Sequence, residues 1–221
     1  MPAQKPKLPI GTLRANDKID AYIWVKGLTK DKANALMDLR PPEFKNIRGE
    51  RAAMPTGRKA FIRNAMSLIG QYDGIVCISA DNKNEIDNLV FGTLHAGPHD
   101  LTTETNVAIW PAAGGRVTAG TKTPPPPPPP TGPNWRQLSK AIGVYGLKVD
   151  QTQLQGVWNA INDSATFGQT FQGASILGSG QYQMIVMLGA STWLPVLNAS
   201  RKFNDIVGIR DITSHLTTPG P

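Results

Sequence analysis

With 221 residues, 23 basic and 16 acidic side chains and a net charge of +7, the chain has room for one large domain or two small ones and carries a moderate positive excess. Its single cysteine, Cys77, excludes an intrachain disulfide framework and a thiolate metal cluster, which fits a reducing compartment. No apolar signal-peptide core follows Lys5 and Lys7, and no window approaches 18 uninterrupted apolar residues, so a protein that is neither membrane-spanning nor secreted is expected.

Residues 1–15 form a proline- and lysine-bearing arm. Asn16 or Asp17 can cap a helix carrying Ile19, Tyr22 and Ile23, although Tyr22 to Val25 also suits a short strand. Thr29 caps a helix from Lys30 to Leu39, stopped by Pro41-Pro42, and Thr56 caps another from Gly57 to Gly70 with Ala60, Phe61, Ala65, Leu68 and Ile69 near one face. Gly74 to Ser79 suits a buried strand or a helix end, and Asn84 to Phe91 a short helix stopped by Gly92. From Thr93 the helical pattern fades, with one extended candidate at Asn106 to Trp110.

Seven consecutive prolines, Pro124 to Pro130, open a linker over 124–133. Proline lacks the amide hydrogen and fixes φ, so the run predicts a polyproline II strut of about 22 Å. Beyond it, Asn134 caps Trp135 to Val144, and Asp150 caps the best amphipathic match, Gln151 to Asn162. Gln181 to Ala190 is apolar nearly all round and is continued by Trp193 to Phe203, which predicts either a central helix or a face shared between subunits. Residues 213–221 are expected to be a disordered tail. The fold class that follows is mainly α: two small helical domains, 16–123 and 134–212, joined by the strut, with room for a few short strands in the first.

Enzyme signatures are weak, and the chain is not expected to be an enzyme or to need a cofactor. Gly115 to Thr123 misplaces the lysine of a phosphate-binding loop, and Gly178-Ser179-Gly180 lacks the third glycine of a dinucleotide fingerprint. His95, His99 and Asp100 are residue types that hold zinc or iron, but Gly97-Pro98 between them favours a surface turn over a metal site. Cys77, flanked by Ile75, Val76 and Ile78, reads as a small buried apolar group. His215 falls in the tail.

The basic segment asks for less geometry. Arg40, Lys45, Arg48, Arg51, Arg58, Lys59 and Arg63, opposed only by Glu43 and Glu50, put +5 within 24 residues, and clustered arginine suits phosphate. These residues are the nucleic-acid-binding candidates, with RNA favoured over DNA, and Tyr182, Met184, Met187 and Trp193 are the candidates for self-association into a homo-oligomer. The function expected on these grounds is a structural assembly protein such as a viral nucleocapsid or coat protein, placed in a virion or host cytoplasm. The alternative is a monomeric adaptor whose prolines a polyproline-binding domain recognises.

Overall fold

The computed structural model describes residues 19–39, 59–108 and 140–217. Its first strand, β1 (Ile19–Lys26), is apolar on both faces: Ala21, Ile23 and Val25 point one way, Tyr22 and Trp24 the other, and all five are buried. Helix α1 (Lys30–Asp38) follows, with the Thr29 hydroxyl accepting from the Lys32 amide at 3.3 Å. Then come β2 (Ala60–Ile69), β3 (Gly74–Ala80), α2 (Lys83–Leu89), which runs into a wider turn at Val90–Leu94, and β4 (Thr102–Val107). The second half repeats the order: β5 (Ala141–Val149), α3 (Leu154–Asn162), a one-turn helix at Ser164–Phe167, β6 (Phe171–Ile176), β7 (Met184–Ala190), α4 (Trp193–Arg201) and β8 (Ile209–Thr217).

Each half is thus a βαββαβ unit, and all the pairings are antiparallel. The strand order is β4-β1-β3-β2 in the first and β8-β5-β7-β6 in the second, the same arrangement twice. The two four-stranded sheets join edge to edge at two seams. One is the β2–β8 pair, Leu68 with Thr217 and Ile69 with Leu216. The other is the bridge between Ala108 and Leu177, where the Gly178 amide donates to the Val107 carbonyl at 2.8 Å. Eight strands therefore close into a barrel with the helices outside.

Three cores follow from this geometry. Ile23, Val25, Val76 and Ile78 pack outward against Leu36, Ile86 and Leu94. Leu147, Val149, Val186 and Leu188 pack outward against Val157, Trp158, Val196 and Phe203. Tyr22, Trp24, Tyr72, Ile75 and Cys77 of the first repeat meet Val144, Leu177, Tyr182 and Ile185 of the second inside the barrel, so the repeats share this third core.

The architecture corrects the expectation of a mainly α chain: it is α+β, built on one eight-stranded antiparallel sheet. The helix expected over 57–70 is strand β2. A bulge at Arg63 shifts its phase, so Ile62 and Ala65 point outward while Met66 and Leu68 point inward. That break in a period-two pattern mimics a helical stripe. Gln181 to Ala190 is apolar all round because β7 is a central strand buried on both faces, Met184, Val186 and Leu188 outward and Ile185 and Met187 inward. The helix expected from Trp135 to Val144 gives way, where described, to the start of β5, and the expected tail begins inside β8, whose β-branched Ile212 and Thr213 suit a ladder. The repeats meet between Val107 and Ala141, an interval that contains linker 124–133, which lies outside the described residues.

Candidate functional site

Two strand ends and two turns build one mouth of the barrel. In each repeat the turn before the third strand reads Gly-Gln-Tyr: Gly70-Gln71-Tyr72 and Gly180-Gln181-Tyr182. Both tyrosines fold into the barrel, and the two turns grip each other reciprocally. The Gln181 side-chain amide donates to the Tyr72 hydroxyl at 2.8 Å, and the Tyr182 hydroxyl donates to the Gln71 side-chain oxygen at 3.4 Å. The glycines are seats. A Cβ on Gly180 would stand 1.7 Å from Asn106 Oδ1, and one on Gly70 would stand 2.6 Å from the His215 ring. Only glycine admits such an approach, and at Gly180 the φ of +86° demands it as well.

The mouth is asymmetric in its chemistry. The Tyr72 hydroxyl donates to the Glu104 carboxyl group in a very short hydrogen bond, and Gln181 reaches the same carboxyl from its side chain and its backbone, both at 3.3 Å. Burial, with the Glu104 bond next in size, pushes the Tyr72 pKa well above the usual phenol range and keeps its proton in place. Beneath it lies His215, fully buried, its ring centroid 4.6 Å from that of Trp24 and 5.8 Å from that of Tyr72. Neither His215 nitrogen makes a well-formed hydrogen bond, and Trp24 Nε1 is likewise unpartnered. Burial lowers the imidazole pKa, and the adjacent Val144 backbone offsets only part of that, so the ring is neutral near pH 7. A neutral ring keeps one nitrogen lone pair free to take a proton. Glu104 and Gln181 are the half-buried members, and Gln181 also lines an open groove of about 420 Å³ with Lys148, Gln183 and Arg210.

The sequence-derived candidates fall elsewhere. Arg40, Lys45, Arg48, Arg51 and Arg58 lie outside the described residues. Lys59 pairs with Glu85 at 3.7 Å, and Arg63, turned into the barrel wall by its bulge, is committed to the buried Asp20 at 3.0 Å. Tyr182 and Met184 are buried in the chain's own cores, Met187 is half-buried inside the barrel, and Trp193 is half-buried at the start of α4 beside exposed Leu194 and Leu197. His95 Nε2 is hydrogen-bonded to the Thr103 hydroxyl at 2.6 Å, whereas the His99 carbonyl accepts from Lys32 Nζ at 2.7 Å. No cluster of three metal-ligating side chains occurs among the described residues. Burial pushes the Cys77 thiol up to about 12, which removes its thiolate at neutral pH. His215, assigned to a tail from sequence, stands instead at the heart of the mouth with Trp24, Tyr72, Glu104 and Gln181. The repeated Gly-Gln-Tyr was the signal in the sequence that could have found them.

No protein-family model matches the chain, and no curated protein matches it in sequence. Solved structures do share its fold. A chlorite dismutase from Candidatus Nitrospira defluvii superposes with a TM-score of 0.52 at 12% identity, over 92% of this chain and 91% of that one. An anthrone oxidase-like protein gives 0.50 at 12% identity, over 94% and 93%. The shared fold corrects the nucleocapsid or coat reading, which rested on two helical domains, and with it the adaptor alternative, which rested on the polyproline segment; at 12% identity the likeness is one of fold.

Proposed function

We propose that the chain is an enzyme of proton transfer acting at the barrel mouth on a small carbonyl compound with an acidic carbon–hydrogen bond. One observation carries the reading: a buried, neutral, unpartnered imidazole at His215 beside a tyrosine whose proton is held by Glu104. In this reading the C–H bond next to the carbonyl breaks, the proton passes to the free His215 nitrogen, and the electron pair moves to the carbonyl oxygen. To stabilise that oxygen the Tyr72 O–H and the Gln181 amide turn to it from the bonds they make with Glu104 and with each other, which the substrate oxygen replaces.

Haem is held by haem-binding members of this fold, and the residues here do not fit it. The outer face of the second repeat's sheet is filled by Tyr145, Trp158, Phe167 and Phe203, with no histidine or cysteine among them. His215 faces the barrel interior instead.

A second reading is favoured by the reciprocal Tyr182–Gln71 contact, which repeats the arrangement without a carboxylate: the mouth is a structural pin joining the repeats. Deuterium exchange separates the two. Incubated with 2-tetralone in D2O and followed by proton NMR, the wild type is expected to accelerate exchange next to the carbonyl. His215→Asn should return the rate to that of buffer, and Tyr72→Phe should lower it by about 10²-fold. Exchange at the buffer rate with wild type, together with variants that change only the melting temperature, would establish the pin.

A further inference from the structure

Register places the residues of one repeat on those of the other. Trp24 and Gly146 stand opposite Ile75 and Ile185, Glu104 and Thr213 stand opposite Trp24 and Gly146, and Asn106 and His215 stand opposite Tyr22 and Val144. The mouth therefore holds two equivalent tyrosine seats with different equipment. Around Tyr72 the set is an indole, a carboxylic acid and, from the facing repeat, an imidazole. Around Tyr182 it is a glycine, a threonine and an asparagine.

From this asymmetry we infer that the seats divide the work, with the Tyr182 seat over Gly146 binding a flat, conjugated ring of the substrate while the Tyr72 seat performs the chemistry. The inference rests on the proton-transfer reading above. Three observations support it. A Cβ on Gly146 would lie 2.8 Å from the Tyr182 ring, so that ring occupies a slot, over bare backbone, in which the other repeat stands an indole. Its hydroxyl has only neutral partners, a 3.4 Å contact to Gln71 and the Thr213 hydroxyl, whereas Tyr72 is tied to Glu104 and, at 2.8 Å, to Gln181. Tyr182, 1% exposed in the shared core, is thus held by the weaker polar contacts of the pair, and a ring entering this slot would have to displace it. The walls left behind are apolar and aromatic, Trp24 at 5.7 Å between ring centroids together with Val144 and Ile185.

The test uses 2-naphthol, a flat phenol with the shape of the enol of 2-tetralone, titrated calorimetrically into the full chain. Tyr182→Ala, which empties the slot, is expected to tighten binding at least tenfold, and Gly146→Ala, which fills it, to weaken binding at least tenfold. Tyr182→Leu keeps a core side chain and carries the test should alanine fail to fold. His215→Asn should lose deuterium exchange with 2-tetralone. Binding that is unchanged in the Gly146 and Tyr182 variants, or no binding by any form, overturns the inference. Loss of exchange in His215→Asn with unchanged naphthol binding in the seat variants sinks the seat alone. Altered binding in the seat variants with exchange untouched by His215→Asn sinks the proton-transfer reading alone.

Discussion

Two buried groups define the residue scale, and they act on stability in different ways. Arg63 and Asp20 form an ion pair whose side chains are 14% and 6% exposed, with the Ser79 hydroxyl donating to the same carboxylate. Removing the cation strands a buried carboxylate, so Arg63→Ala should cost about 3–5 kcal/mol in urea unfolding, far more than an exposed cation would. Lys59→Ala, at a pair that is 74% exposed on the lysine side, should change little. His215 acts through pH. Its folded pKa lies below its unfolded value of about 6.5, so between the two the unfolded chain binds more protons and stability falls as the pH is lowered. That loss begins near pH 6.5 and is complete below the folded pKa. Asp150, lowered to about 2 chiefly by its hydrogen bond to Arg210, contributes stability that is lost only as pH falls from about 4 through 2. Thermal melts of His215→Asn should therefore be flatter than those of wild type just below pH 6.5 and retain the more acidic transition.

Among the elements, the turns before β3 and β7 matter most, because each seats a polar residue of the other repeat. Gly180→Ala meets both a left-handed φ and the Asn106 side chain, and it should destabilise the chain by at least about 2 kcal/mol. Gly97→Ala has a φ of +61° but nothing within 4 Å of the added carbon, so it should cost less. The difference between the two in denaturant midpoint isolates the seat from the backbone term. Elements were legible in the sequence where local rules sufficed. α1, α2, α3 and α4 carry the expected caps or stripes and lie within a few residues of the segments expected from pattern. Strands were misread where burial on both faces removed the alternation, as in β7, or where a bulge rephased it, as at Arg63 in β2. β8 was hidden by its threonines and serine, polar in composition yet suited to a ladder.

The whole molecule is one supersecondary unit written twice, and this too was legible. Gly70-Gln71-Tyr72, Ile75-Val76 and Ala80 recur 110 residues later as Gly180-Gln181-Tyr182, Ile185-Val186 and Ala190. Tyr182 and Met184, read as a face for a second copy, answer to the first repeat of the same chain or to its own helices. The proline run drew a boundary between two bodies, whereas the repeats share a core across the barrel. What pattern alone could not supply was the pairing of remote partners. His215 and Trp24 are 191 positions apart, and only closure of the barrel stacks them. That closure makes a site to which both repeats contribute, with Trp24, Tyr72 and Glu104 from one and Gln181 and His215 from the other.

The most direct test of the account is a pH titration of the imidazole nitrogens by ¹⁵N NMR in the full chain, with the His215 signals assigned by their loss in His215→Asn. A ring that is still neutral below pH 6.5, and whose nitrogen shifts move when 2-naphthol is added, is what a buried base at the barrel mouth requires. A ring that titrates at or above pH 6.5 and ignores the ligand would contradict it, leaving the mouth as a pin between two repeats.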